Sequence, residues 1–149
     1  MSRMVSWAAA AAWMGCIFYL SHQPAGASNQ LSLGVTETLA NVIQTIFPNA
    51  AFPLDSFNFF VRKSAHFFAY FILGVLVFHA FLKSGVHGWR NVRHAMLLCV
   101  LYAISDEVHQ LFVAGRSGQV RDVLIDSVGA AAGILLYYGV CKMKRLNRR

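Results

Sequence analysis

The stretch RKSAHFFAYFILGVLVFHAFLK, residues 62–83, decides the fold. Arg62-Lys63 stand at its entrance and Lys83 at its exit, and between them the only ionisable side chains that titrate near neutrality are His66 and His79. A helix needs roughly 20 apolar residues to cross a bilayer. The run has that length, and basic flanks are the usual boundary of a span. Working outward, Met4 to Leu20 is a second uncharged run, preceded by Arg3 and stopped at Ser21-His22-Gln23-Pro24. A third begins at Ala95 and carries Asp106, Glu107 and His109 toward its far end. A fourth runs from about Val123 to Val140 and opens on Asp122 and Asp126. The expected spans are therefore about 4–22, 63–82, 94–112 and 122–141.

Composition agrees with a bilayer as solvent. The 149 residues are 57% hydrophobic and 13% charged, with a mean hydropathy of +0.51, which excludes intrinsic disorder and argues against an ordinary soluble domain. The fold class expected is an all-α membrane protein: one transmembrane domain over 1–149, built as a small bundle of four transmembrane helices with an amphipathic helical segment between the first and second spans. That segment covers about 32–60. Val35, Leu39, Val42, Ile43, Ile46 and Phe47 recur on one helical face until Pro48 and Pro53 end the pattern, and Phe52, Leu54, Phe57, Phe59 and Phe60 follow. Two readings stand for it: a helix and aromatic stretch lying at the membrane surface, or a covering segment packed on the bundle. The first span also has a second reading as a cleaved leader, from the small residues Ala25-Gly26-Ala27, but its apolar run exceeds the about 7 to 15 residues such leaders carry.

Thirteen Lys and Arg against six Asp and Glu would suggest nucleic acid in a soluble protein. Here placement argues for no nucleic-acid partner, because Lys142, Lys144, Arg145, Arg148 and Arg149 follow an apolar run as a basic anchor does. Cys16, Cys99 and Cys141 have no CxxC spacing and read as small core residues. With the amino terminus inside, Arg3, Lys83, Arg90, Arg93 and the tail cations fall on the inner side, while only Arg62, Lys63, Arg116 and Arg121 fall outside. The positive-inside rule then places both termini in the cytoplasm. Glu37, Asp55, Asp106, Glu107, Asp122 and Asp126, all the carboxylates of the chain, fall on the extracytoplasmic side.

The polar residues are arranged in stripes. Lys63, His66, Tyr70 and Gly74 share one face of the second span, and Asp122, Asp126, Gly129 and Gly133 share one face of the fourth. The Gly129-x-x-x-Gly133 pair lets a neighbouring helix approach closely. The third span adds Asp106, Glu107, His109 and Gln110 before the turn Gly115-Arg116-Ser117-Gly118. Three helix ends are thus expected to converge at one depth, where unpaired charge is costly. Such a cluster reads either as an ion-pair network that fixes helix register or as a functional site. Asp106 and Glu107 are the candidate acid/base groups. Lys63 and Arg116, with Arg121 beside them, are candidate clamps for a phosphate or carboxylate. The predicted binding set is Lys63, His66, Tyr70, Asp106, Glu107, Gln110, Arg116, Asp122 and Asp126. His66 and His109 have carboxylates nearby, but HExxH or other tight ligand spacing is absent, so no metal and no cofactor is expected.

These motifs, Lys63-Ser-Ala-His66 through Tyr70 to Gly74, Asp106-Glu107 through Gln110 to Gly115-Arg116, and Asp122 through Asp126 to Gly129 and Gly133, resemble the VanZ-like membrane proteins. Ser21-His22-Gln23 resembles that family's S-x-Q element. Two positions depart: Ala114 stands where a proline commonly precedes the Gly-Arg pair, which loosens the turn, and Asp126 stands where an asparagine is common, which adds a charge that needs a partner. The resemblance implies a multi-pass protein of the bacterial cytoplasmic (inner) membrane acting at its outer face. The founding member is associated with resistance to the glycopeptide teicoplanin. The function expected is a cell-envelope protein whose outer polar cluster, among membrane lipids, binds an anionic lipid headgroup or cell-wall precursor and modulates glycopeptide susceptibility. The alternative is a small intramembrane enzyme using Asp, Glu and His on a lipid-linked substrate. A proton path finds no matching carboxylates in the inner half.

Overall fold

The computed structural model describes residues 2–48 and 53–146, the last two by their backbone. Phe52, Arg148, Arg149 and the side chain of Arg145 lie outside the described residues. Within them the chain is five helices and no strand: α1 (Arg3–Ser21), α2 (Ala25–Ile46), α3 (Leu54–Lys83), α4 (Gly88–Gln110) and α5 (Val120–Leu146). Ser2 caps α1 by accepting a hydrogen bond from the Val5 amide. Pro24, Pro48 and Pro53 mark the breaks on either side of α2, as rings that cannot donate and that push the preceding residue out of helical geometry.

One boundary corrects the expectation. The stretch Leu54 to Phe60, with Phe57, Phe59 and Phe60, does not form part of a separate surface segment. It makes up the first turns of α3, which starts directly after Pro53 with Asp55 in its first turn, where a negative charge suits the helix dipole. At 1.5 Å per residue α3 is about 45 Å long, so it exceeds the roughly 30 Å hydrocarbon core and projects beyond it.

Among the described residues three helices are long and apolar enough to cross a membrane: Arg3–Ser21, Leu54–Lys83 and Val120–Lys144. The 23-residue α4 is long enough but carries Arg90, Arg93, Asp106 and Glu107, so by composition it stands apart from the other three, and the expected four spans reduce to three on that measure.

The burial pattern is inverted relative to a soluble bundle. On α4, small Ala95, Cys99 and Ala103 and polar Asn91, Asp106 and Gln110 face inward, while Leu97, Leu101, Ile104 and Val108 face out. The core is completed by Tyr70, Leu73, Val77 and Phe78 of α3, Ala130 and Ile134 of α5, and Ala10 and Ile17 of α1. Cys99 is a core residue as expected, Cys141 is half-buried, and Cys16 is exposed rather than packed; all three are free thiols. The turn side of α2 is inverted too: Thr36 and Ala40 face the bundle, Thr36 Oγ1 lies 3.2 Å from Asn58 Oδ1, and Asn58 Nδ2 donates to Asn29 at 3.0 Å. Leu31, Val35, Leu39, Val42 and Ile46 are left on the exposed side. From Leu39 to Ile46 the apolar face of α2 is therefore not folded against the bundle.

The principal interface is between α3 and α5, which run parallel with α4 returning between them in sequence. Contacts advance together along both helices, from Lys63–Asp122 to His79–Tyr137. Gly129 and Gly133 sit against the carbonyls of Phe67 and Phe71, and Gly74 against that of Ala130, so closely that a Cβ at any of the three would come under 3.0 Å. The predicted small-residue stripe is therefore the seam that holds the two helices together.

Candidate functional site

The seam brings the two polar stripes face to face at the end where α1 and α4 finish and α3 and α5 begin their buried course. Lys63 pairs with Asp122, and its ammonium stands 5.3 Å from the Phe59 ring centroid. One turn deeper, His66 Nδ1 lies 3.4 Å from Asp126 Oδ1. The contact is an ion pair when His66 carries its proton; Asp126 is 0% exposed, and neither of its carboxylate oxygens has a partner of hydrogen-bond geometry.

From α4, Asp106 Oδ2 accepts hydrogen bonds from Ser21 Oγ at 2.9 Å and from Gln110 Nε2 at 3.4 Å, while its Oδ1 is buried with no partner. Glu107 is held on both oxygens, by Gln110 Nε2 at 3.2 Å and by the Gln119 amide at 2.8 Å. Gln110 also accepts from Arg116 Nη1 at 3.2 Å. Arg116 then reaches across to α1, donating from Nε to the Gln23 carbonyl at 2.8 Å and from Nη2 to the Leu20 carbonyl at 3.1 Å. It thus ties the turn after α4 to the last turn of α1 and to the residues that follow it.

The turn that presents Arg116 is closed by its amide bonding the Val113 carbonyl at 3.1 Å. Gly115 supplies the φ of 73° that other residues rarely adopt. Ala114 does not leave this turn loose, because its carbonyl accepts from the Ala25 amide at 3.2 Å and ties α2 to it. Burial, and then the nearby Arg62 guanidinium, push the Arg116 guanidinium below its ordinary pKa. A second cation is crowded against the first.

Two cavities meet here. One of about 270 Å³ lies between α1, α2 and α3, with walls such as Ile17, Leu20, Leu31 and Val35, and reaches Tyr70 and Asp106. The other, of about 230 Å³, is polar and is lined by Lys63, Gln110, Arg116, Ser117 and Asp122 among others. Arg62, His66 and Arg116 line both. The Tyr70 hydroxyl is buried without a hydrogen-bond partner.

The nine predicted binding residues thus collect at one end of the bundle, and the structure sorts them. Asp106 faces the apolar cavity, whereas Glu107 is not among the lining residues of either cavity and anchors the turn. Arg121 is not among the lining residues of either cavity; its guanidinium stands 5.5 Å from the centroid of Phe59, the ring that Lys63 also approaches. Three contributors are absent from the predicted set. Arg62 has the sequence position of a span flank, although its spacing of four from His66 places it on the same stripe. Ser21 and Gln23 are visible in the sequence only as the S-x-Q element. Among the described residues one group has metal-ligand chemistry: His66, Glu107 and Asp126 each offer an atom within 4.8 Å of the others.

An all-helical bundle with lipid-type burial and a buried polar end defines a small multi-helix membrane protein. The chain matches the VanZ/LLP1 family model over residues 6–142 and belongs to that family. It is 36% identical over 90 residues to the uncharacterized membrane protein YwnJ of Bacillus subtilis (strain 168), a match covering 60% of this chain and 55% of YwnJ. The chain thus spans about half the length of that relative. No solved structure matches it.

Proposed function

We propose that this protein binds an amphiphilic lipid whose head carries net negative charge on a phosphate or pyrophosphate, with that head in the polar cavity and the chain in the apolar one. The observation that carries the reading is Arg62. Among the described residues it has no carboxylate partner, it lines both cavities, and it stands beside an Arg116 guanidinium already committed to carbonyl and amide oxygens. Asp122 is occupied by Lys63. The polar cavity therefore holds a cationic excess, and a guanidinium fork matches phosphate oxygens. In this reading α4 crosses the bilayer as a fourth span, supported by its outward Leu97, Leu101, Ile104 and Val108 and by acidic groups that are buried against neighbours rather than lipid. The polar end faces outward from the cytoplasmic membrane, both termini lie inside, and the exposed apolar face of α2 rests in the outer interface. Occupancy by a cell-wall precursor or an anionic phospholipid would link the site to the cell envelope and to glycopeptide susceptibility.

The test uses the full chain in detergent with three probes: a polyprenyl pyrophosphate, phosphatidylglycerol and phosphatidylcholine. A charge-assisted hydrogen bond contributes roughly 1.5–3 kcal/mol, so Arg62→Gln is expected to weaken the anionic probes by about tenfold or more. Preference for the polyprenyl pyrophosphate identifies a lipid-linked precursor as the ligand class, and preference for phosphatidylglycerol identifies an ordinary anionic lipid. Retention of phosphatidylcholine equal to that of the anionic probes, in both proteins, removes the headgroup proposal. An acid/base enzyme is the second reading, favoured by the unpartnered Asp106 Oδ1 and Tyr70 hydroxyl at the apolar cavity. Turnover of the pyrophosphate probe that Asp106→Asn abolishes would support it.

A further inference from the structure

We infer that His66, Glu107 and Asp126 form a site for one divalent transition-metal ion of the zinc type. The sequence offers no linear ligand motif, but one is not required, because α3, α4 and α5 each deliver one ligand to the same point. An imidazole with two carboxylates is a donor set that zinc accepts, and three protein ligands leave a fourth position open. The two carboxylates also balance the charge of the ion.

The geometry is close to what a metal needs. Bonds of about 2.0–2.1 Å in a tetrahedron separate neighbouring ligand atoms by about 3.3 Å. His66 Nδ1 and Asp126 Oδ1 already stand 3.4 Å apart, and no pair in the group exceeds 4.8 Å. Side-chain rotation of little more than an ångström closes the rest.

Independently of the clustering, Asp126 is wholly buried and both of its oxygens are without a hydrogen-bond partner. Such a carboxylate demands a counter-charge of higher order than one contact to an imidazole provides. Glu107 is already oriented by the Gln119 amide and Gln110 Nε2, the kind of outer support that fixes metal-bound carboxylates. The ion is reachable, since His66 lines both cavities. Magnesium and calcium take six or more oxygen ligands, and with one nitrogen and no cysteine in the set zinc is the better match. The open position would face the cavity junction, where a water or an anionic oxygen can complete the shell.

The experiment uses the full chain in lipid-free detergent micelles, stripped with chelator and dialysed against Zn²⁺. Elemental analysis is expected to give about one zinc per chain. Asp126→Asn, Glu107→Gln and His66→Gln should each lower that occupancy at least tenfold, whereas Asp106→Asn and Arg62→Gln should keep it. Retention by Arg62→Gln separates this site from the headgroup proposal, which the same variant tests. Should the ligand variants fold poorly, Co²⁺ added to the unaltered protein decides: the intense visible bands of a tetrahedral complex support the site. Zinc no higher than in the triple ligand variant, or a weak octahedral cobalt spectrum, overturns it.

Discussion

Replacing Gly133 with alanine is expected to destabilise the bundle, although alanine is the better helix former. The added Cβ would lie under 3.0 Å from the Phe71 carbonyl oxygen. That oxygen belongs to the backbone of α3, so no side-chain rotation can clear it and the two helices must move apart. Overpacking of this kind costs roughly 1–3 kcal/mol. Against it stands the gain of about 0.5–1 kcal/mol for removing a glycine from a helix, leaving a net loss of up to about 2.5 kcal/mol. Gly139, on the same helix, has nothing within 4 Å of the place a Cβ would occupy, so Gly139→Ala keeps the helical gain without the clash and should stabilise. Reversible unfolding in mixed detergent micelles, followed by far-ultraviolet circular dichroism, reads both. The two variants must move the midpoint in opposite directions. If Gly133→Ala stabilises as Gly139→Ala does, the close α3–α5 seam is wrong.

Three further outcomes follow from the polar end. Ser21→Ala removes the shorter of the two bonds to Asp106 Oδ2 and should cost roughly 1–3 kcal/mol in the same unfolding measurement; an unchanged midpoint would show that Asp106 does not depend on α1. A double-mutant cycle on Lys63→Met and Asp122→Asn should give a coupling of about 0.5–3 kcal/mol, and a value near zero would mean the pair is not formed. In a cysteine-free background, Ser117→Cys should label from outside cells with an impermeant thiol reagent and His87→Cys only after lysis; both residues are exposed, and the reverse pattern inverts the proposed topology.

Much of the architecture is legible in the sequence because membrane helices carry their instructions in simple periodicities. The stripe from Lys63 to Gly74 and the stripe from Asp122 to Gly133 do face each other, since charged and small residues in a bilayer have few places to go other than a helix seam. What escapes such a reading has physical causes as well. The start of α3 at Leu54 is hidden because an aromatic-rich stretch lacks the polar contrast that reveals helical period. α4 is ambiguous by composition because Asp106 and Glu107 are buried and take hydrogen bonds from Ser21 and the Gln119 amide on other segments, which hydropathy along the chain does not register. The outward orientation of the α2 apolar face is undecided in the sequence because an amphipathic pattern names a face but not the medium it meets. Arg62 passes for a flank because its value lies in the partner it lacks, and that is visible only in three dimensions.

The parallel pairing of α3 with α5 also orders the making of the protein. Lys63 and Asp122 are 59 residues apart, so during synthesis the cationic stripe leaves the ribosome well before its carboxylates exist. Until α4 has returned and α5 has entered, Lys63 and His66 have no acid from the last helix and the seam has no glycine ridge to close on. A chain stalled after α4 therefore lacks the partner surface for half of its polar interface.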